Sequence, residues 1–194
     1  MKLSEQQNSE LQKFLDLTNS PVRKFAPLVN YFMLIGLMSD SHDNLTQIKK
    51  AVDYFNGKKV GIVLHAGDII SPFCSNELKR LKAKFYAVFG NNDGERVLWY
   101  DNIAGWGEIF EDYFETVIEG EKLLMMHEPR QIEALAQSGR YGIIVFGHTH
   151  KPEKRYLGHT VVVNPGECGG WLYGKSTIAT LKLPEKEVEI IELK

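Results

Sequence analysis

The chain of 194 residues has only two cysteines, Cys74 and Cys168, a formal net charge of −2, and no long apolar run. Each scarcity excludes something. Two cysteines make neither a disulfide framework nor a thiolate zinc pattern, and they point to a reducing cytoplasm. A weak negative charge offers no general attraction for nucleic acid. A membrane helix needs about 20 consecutive apolar residues, and no stretch approaches that. The N-terminus lacks the basic-then-apolar order of a secretory signal. What remains, 43% hydrophobic and 25% charged residues, is the composition of a soluble globular protein with one sizeable core.

The organisation changes at Met33. Before it, "LSEQQNSELQKFLDL" pairs Ser4 with Gln7 as a capping box and sets Leu11, Phe14 and Leu15 at helical spacing, which predicts a short amphipathic helix. Two readings of residues 1–32 stand: an extension that packs on the body or on a partner, or a product of start-codon choice with Met33 as initiator. From residue 33 to 194 the pattern alternates between strands and helices. "MLIGLM", "VGIVLHAG", "FYAVFG" and "YGIIVFG" read as strands, and "YFETVIEGEKLLMMH" as a hairpin turning at Glu119-Gly120. "NLTQIKKAVDYFNG" reads as a helix with Leu45, Ile48, Val52 and Phe55 on one face and Gly57 as its stop. "SPFCSNELKRLK" reads as a helix capped by Ser71 with Pro72 at its first position. "DGERVLWYDNI" and "QIEALAQSG" read as further helices, and the tail "HTVVVNPGE" and "STIATLKLPEKEVEIIEL" as strands and a hairpin. Strands with helices between them imply right-handed crossovers onto buried sheet, and the hairpins add antiparallel pairs, so mixed sheets are expected.

Five apolar strands end in residues able to bind metal. "IGLMSDSH" ends in Asp40 and His42, "GIVLHAGD" in Asp68, "YAVFGNND" in Asn91, Asn92 and Asp93, "KLLMMH" in His127, and "IIVFGHTH" in His148 and His150. Ligand crevices of open α/β sheets lie at the carboxyl ends of strands, so these residues are expected to meet in space. Singly, each has an ordinary structural reading: Asp40 and Asp68 as helix caps, Gly-Asn-Asn as a turn, His127 as a satisfied loop or core histidine. Jointly they are harder to explain that way, because four of the six histidines lie in these clusters.

The ordered set Asp-x-His, Gly-Asp, Gly-Asn-x-Asp, His and Gly-His-x-His resembles the motifs of the calcineurin-like metallophosphoesterase superfamily. "MSDSHDN", "HAGD", "GNNDGE", "FGHTH" and "NPGE" are most similar to the small prokaryotic YfcE-type phosphodiesterases. The resemblance covers residues 33–194. It implies an α/β (α+β) fold, a four-layer αββα sandwich with two mixed β-sheets flanked by helices. It also implies two divalent ions, with Asp68 bridging them. Asp40, His42 and His150 would complete one ion, and Asn91, His127 and His148 the other. Such ions sit ~3.5–4 Å apart, acidify a bridging water and neutralise phosphoryl oxygens. Carboxylate and imidazole ligands suit Mn²⁺, Ni²⁺, Fe²⁺ or Zn²⁺ better than Ca²⁺ or Mg²⁺, and Mn²⁺ is the expected metal. A homodimer is expected only by resemblance.

Two departures bear on chemistry. Many superfamily members carry a histidine after the motif asparagine, where Asn92 stands here; an amide delivers no proton at neutral pH. Related phosphodiesterases often have His-Gly-His at the fifth ligand, where this chain has "HEPR" with Glu128 and Pro129. Both losses predict a preference for acidic leaving groups. Asp93 is expected to orient Asn91 or a bound water. His65 reads as a buried structural or ligand-supporting histidine rather than a ligand, Cys168 as a small buried filler rather than a redox group, and Arg130 as a solvated helix-start arginine rather than a contact for a substrate phosphate. Trp99, Tyr100 and Trp106 read equally as core or as cleft and subunit-contact residues, and "ELKRLKAK" as a solvated basic face. The expected activity is hydrolysis of a small organic or nucleotide phosphodiester. Alternatives are a phosphomonoesterase, nucleotide pyrophosphatase or nuclease using the same dimetal site, or a non-catalytic scaffold of the same fold.

Overall fold

In a computed structural model, which describes residues 32–194, two mixed sheets stack face to face. The helix expected before Met33 lies outside the described residues. Eleven strands follow in order: β1 Met33–Met38, β2 Ile62–His65, β3 Lys84–Val88, β4 Gly107–Phe110, β5 Tyr113–Ile118, β6 Glu121–Met126, β7 Ile143–Val145, β8 Glu153–Leu157, β9 Thr160–Asn164, β10 Thr177–Leu183 and β11 Glu187–Glu192. The first sheet runs β11-β10-β1-β2-β3-β4 and the second β5-β6-β7-β9-β8. Each sheet has a parallel run extended by antiparallel strands, at one end in the first sheet and at both ends in the second: β1, β2, β3 and β4 pair in parallel, as do β6, β7 and β9. The antiparallel additions are β10 on β1, β11 on β10, β5 on β6 and β8 on β9.

The central strands are apolar on both faces because both faces are covered. Side chains alternate across a strand, so Ile35, Leu37 and Leu64 from the first sheet meet Met125, Val145 and Val163 from the second. The alternate residues Val63, Phe85 and Ala87 pack under helices α1 Leu45–Lys58, α2 Ser75–Leu78 and α3 Arg96–Ile103. Leu124, Ile144 and Val162 pack under α4 Ile132–Gln137. The result is the expected αββα layering. Burying each large apolar side chain contributes roughly 1.5–3 kcal/mol, and three such clusters make the frame rigid enough to fix loop positions.

Local chemistry explains the helix ends. Asn44 caps α1 by accepting from the Gln47 N–H at 3.3 Å. The buried face is Ile48, Ala51, Val52 and Phe55; Leu45, expected there, is 48% exposed because the chain enters the first turn over solvent. Gly57 does not stop the helix. It lies inside the last turn, and Lys59 takes the left-handed cap. Phe55 presses on Gly36, where a Cβ would come within 2.7 Å of its ring. The second expected helix is shorter than its pattern. Ser71 and Pro72 start a single 3-10 turn, Pro72–Cys74, and only four residues of α2 follow. The hairpin turns at Glu119-Gly120, both left-handed, as expected. Strands β4 and β8 are additional elements that the sequence pattern does not mark.

Candidate metal centre

The loops after β1, β2, β3, β6 and β7 meet at one end of the sandwich and bring all seven expected ligand residues together. Asp40 and Asp68 are buried at the bottom. His42 Nε2 lies 3.5 Å from Asp68 Oδ2 and 4.0 Å from Asp40 Oδ1, and His150 Nε2 lies 3.5 Å from Asp40 Oδ1. Asp40, His42, Asp68 and His150 each offer one ligand atom within 4.8 Å of the others, a group able to hold a metal ion. On the other side, His127 Nε2 is 3.4 Å from Asp68 Oδ2. Asn91 Oδ1 lies 3.0 Å from His127 Nε2 and 2.9 Å from His148 Nδ1. Asp68 therefore faces both halves. The rings of His42 and His150 stack at 5.0 Å, and those of His127 and His148 meet edge-on at 5.1 Å.

Ligand orientation comes from the backbone. His127 Nδ1–H donates to the Ala66 carbonyl at 2.8 Å, which fixes the ring and turns Nε2 toward Asp68. The His148 N–H donates to Asp40 at 3.1 Å, and Ser39 Oγ–H donates to the same carboxylate at 2.6 Å. Asp40, His42, Asp68, His148 and His150 all have φ between 41° and 67°. Asp and His are among the non-glycine residues that best tolerate this region, yet each such residue costs on the order of 1–3 kcal/mol, strain of the kind found at functional sites. Gly90 has no Cβ for the same crowding: one there would come within 2.6 Å of the Asp68 backbone nitrogen.

Electrostatics follow from burial and partners. Burial alone would raise the Asp68 carboxyl; His127 and the two Asn92 donors outweigh it and hold it far below the usual carboxylate range. Burial would likewise lower His127, but Asp68 and the Ala66 carbonyl raise it above the ordinary histidine value. Asp40 is raised, by burial first, with Ser39, His127 and His150 opposing.

Does the donor set fit divalent ions? His42 Nε2 is buried without a hydrogen-bond partner, although two carboxylates lie within 4.0 Å. Carboxylate oxygens and imidazole nitrogens, without thiolate, suit first-row divalent metals. The residues present fit the ions that the motif resemblance implies.

The remaining expected site residues take specific places. Asn92 turns onto Asp68, donating from its amide Nδ2 at 2.8 Å and from its backbone N–H at 2.9 Å. Asp93 does not meet Asn91 in the expected way. Its buried carboxylate accepts the backbone N–H groups of Asp68 at 2.9 Å, Ile70 at 2.6 Å and Gly90 at 2.7 Å, so it shapes the loop that carries Asp68. His65 is buried, with Nε2 3.0 Å from Ser41 Oγ, and burial lowers its pKa to about 3. Cys168 is buried, its thiol pushed up to about 12 by burial and nearby Asp40 and Glu167. Trp99 is core, Trp106 stacks on Phe85, and Arg130 is exposed and paired with Glu128 at 2.7 Å. Arg80 of the basic run is exposed and pairs with Glu77 and Asp53.

Sequence reasoning assigns no role to Glu167, the last residue of "NPGE". It is 1% exposed, lies 3.4 Å from His150 Nδ1, and accepts the backbone N–H of Trp171 at 2.7 Å. Its place at the end of "NPGE", one of the strings that carry the family resemblance, is the signal that points to it.

Comparison with known proteins agrees with this geometry. The model of the calcineurin-like phosphoesterase superfamily domain matches residues 33–186. A protein of Methanocaldococcus jannaschii named as a phosphodiesterase is 38% identical over 165 residues, which is 83% of this chain and 99% of that one. A probable metallophosphoesterase of Methanothermobacter thermautotrophicus is 34% identical over 139 residues, 69% of this chain and 76% of its own. The solved structure of an archaeal phosphodiesterase, 37% identical, superposes with a TM-score of 0.77 over 83% of this chain and all (100%) of its own. The Escherichia coli phosphoesterase YfcE, 19% identical, shares the fold alone, with a TM-score of 0.63 over 84% of this chain and 100% of its own. Among the described residues no helix is long and apolar enough to cross a membrane. A domain model that spans nearly all the described residues, on a fold that gathers the motif residues at one end, makes this chain a member of the calcineurin-like phosphoesterase superfamily.

Proposed function

We propose that this protein is a phosphodiesterase that hydrolyses the P–O bond of small organic or nucleotide diesters at a two-ion centre. Asp40, His42 and His150 would hold one ion and Asn91, His127 and His148 the other, with Asp68 between them. The donor set suits Mn²⁺, Ni²⁺, Fe²⁺ or Zn²⁺, and Mn²⁺ is the metal we propose. The observation that carries the reading is the meeting of seven side chains from five separate strand ends, two of them the buried carboxylates of Asp40 and Asp68.

When bound, the ions supply positive charge for the phosphoryl oxygens and acidify a water. The chain does the rest. Asp68 is held ionised by His127 and Asn92, so it can serve both halves at once. The Ala66 carbonyl holds the His127 proton on Nδ1, leaving Nε2 for the site. Asn92 and the Glu128–Arg130 pair offer no proton to a leaving oxygen, so acidic leaving groups should react fastest. Two free, buried thiols accord with a reducing cytoplasm.

The test is hydrolysis of bis(4-nitrophenyl) phosphate with Mn²⁺, with and without chelator. Mn²⁺-dependent release of nitrophenolate, abolished in Asp68→Ala and in His148→Ala, is the expected result. Activity that survives both substitutions overturns the assignment, and well-folded wild type that binds no divalent ion supports the scaffold reading instead.

A further inference from the structure

A cleft of about 440 Å³ opens from the Asn91–His127 side of the centre. Its size falls within the roughly 300–1,000 Å³ of small-molecule sites and suits one ring system. Leu124 and Met126 of β6 lie along it, Phe89 borders it after β3, and Tyr113 borders it on β5. Tyr113 is 58% exposed, a large flat side chain open to the space beside it.

The cations around the cleft are all engaged by carboxylates. Its charged lining is two arginines, Arg96 and Arg130, against four acids, Glu111, Asp112, Glu115 and Glu128. Neither arginine is free. Arg96 is paired with Glu111, and Arg130 with Glu128 at 2.7 Å. Glu115 is engaged by Tyr141, by Lys122 at 3.2 Å and by Arg140 at 3.2 Å, so those cations are also spoken for. An anionic group entering the cleft meets no unpaired cation in its lining, because each arginine there is already held by a carboxylate.

We propose that this cleft receives the uncharged aromatic ester group of the substrate, an aryl or nucleobase-bearing group, and discriminates against esters that carry a second anionic charge there. The inference rests on the phosphodiesterase reading and adds a substrate class to it. Polyphosphates and diesters with a carboxylated ester group fall outside that class.

The experiment compares 4-nitrophenyl phenyl phosphate with 4-nitrophenyl 4-carboxyphenyl phosphate. Both release nitrophenolate, so their chemistry is matched while the retained group differs in charge. The expected KM of the carboxylated diester is about tenfold higher, the effect of one uncompensated repulsion at short range. Glu128→Gln, which frees Arg130, should contract that KM ratio by roughly threefold. Tyr113→Ala, at an exposed position that folding tolerates, should raise KM for the phenyl diester more than it lowers kcat. Equal KM values for the two diesters, unmoved by either substitution, overturn the cleft assignment. Should the wild type hydrolyse neither diester, the phosphodiesterase reading fails instead. NMR titration of the Zn²⁺-loaded protein with each diester then reads the cleft separately. Shifts of the methyls of Leu124 and of Leu135, which also lines the cleft, by the phenyl diester at roughly tenfold lower concentration than by the carboxylated one support the cleft, and equal response rejects it.

Discussion

Substituting Asp93 by alanine tests whether this side chain builds the loop that presents Asp68. Gly67, Asp68 and Ile70 have φ of 90°, 58° and 86°. For Ile70, a β-branched residue, that conformation is a genuine outlier. The Asp93 carboxylate holds this path through three N–H bonds, to Asp68 at 2.9 Å, Ile70 at 2.6 Å and Gly90 at 2.7 Å. A buried donor left unpaired costs roughly 1–3 kcal/mol. Asp68 and Gly90 are buried and Ile70 is partly open to water, so two donors bear the full cost and one a fraction. The expected loss in Asp93→Ala is therefore about 3–5 kcal/mol, a large share of the 5–15 kcal/mol typical of a whole domain. Asn can keep its oxygen where Oδ2 accepts from Asp68 and Gly90 and turns its N–H₂ only toward the Ile70 N–H, so Asp93→Asn should lose less than half as much. Urea unfolding in chelator measures both, with an unchanged m value showing that the same surface is exposed. A second reading comes from metal: a ligand at 100 times its Kd adds about 2.7 kcal/mol to stability. Mn²⁺ should add that in the wild type and much less in Asp93→Ala, because Asp68 is no longer held. An Asp93→Ala protein within 1 kcal/mol of wild type, with full Mn²⁺ protection, would refute the reasoning.

Other perturbations reach the same centre by different routes. Gly90→Ala puts a methyl against the Asp68 carboxylate and within 2.6 Å of its backbone nitrogen; Mn²⁺ affinity by calorimetry should fall at least about tenfold while far-UV circular dichroism stays unchanged. Glu167→Gln removes the charge 3.4 Å from His150 Nδ1, and Mn²⁺ affinity should fall about 10–100-fold, with a changed visible spectrum in the Co²⁺-substituted protein. His65 is held neutral by burial, its pKa lowered to about 3 from 6.5. The unfolded chain binds that proton below pH 6.5 and the folded chain does not, so stability falls as pH drops from about 6.5 toward 3, by up to about 1.4 kcal/mol per pH unit. His65→Gln should flatten this slope in urea unfolding at pH 7, 6 and 5 in chelator; an unchanged slope would show that His65 is not responsible. Across aryl diesters of graded leaving-group pKa, log kcat should fall steeply as the pKa rises, because Asn92 supplies no proton, and a flat plot would reveal an acid elsewhere.

Much of the fold was legible because buried strands are short apolar runs. β1, β2, β3, β6, β7 and β9 lie in such runs, and each is covered on both faces. Where covering fails, so does the signal. β8, "EKRYL", is an edge strand whose residues alternate between half-buried and exposed, and its composition is that of a solvated segment. β4, "GEIF", lies at the edge of the other sheet, with a single buried residue. The second helix misled for a related reason. Its cap and proline mark a start correctly, but a charged run such as "ELKRLK" carries no sign of where the chain must turn back toward β3.

The site divides along the same line. Ligand side chains were legible because metal chemistry restricts their types and strand ends fix their place. What positions them was not, because it is done by backbone groups, and a sequence names side chains. Asp93 acts on three N–H groups, His127 is aimed by a carbonyl, and five ligand residues sit in a left-handed conformation that Asp and His do not advertise. One trace of this hidden layer does reach the sequence. A glycine precedes the polar residues in "HAGD", "FGNN" and "FGHTH". A Cβ at Gly67 would come within 2.6 Å of the His127 ring, at Gly90 within 2.6 Å of the Asp68 nitrogen, and at Gly147 within 2.7 Å of the Ala66 carbonyl. Each glycine thus marks a point where one strand-end loop crosses another. The crossings join β2 to β6, β3 to β2, and β7 to β2, so the loop after β2 is the hub on which the others rest. That is the loop carrying Asp68, the one carboxylate that faces both halves of the centre, and a bridging ligand can serve two ions only if both sets of partners are built against it.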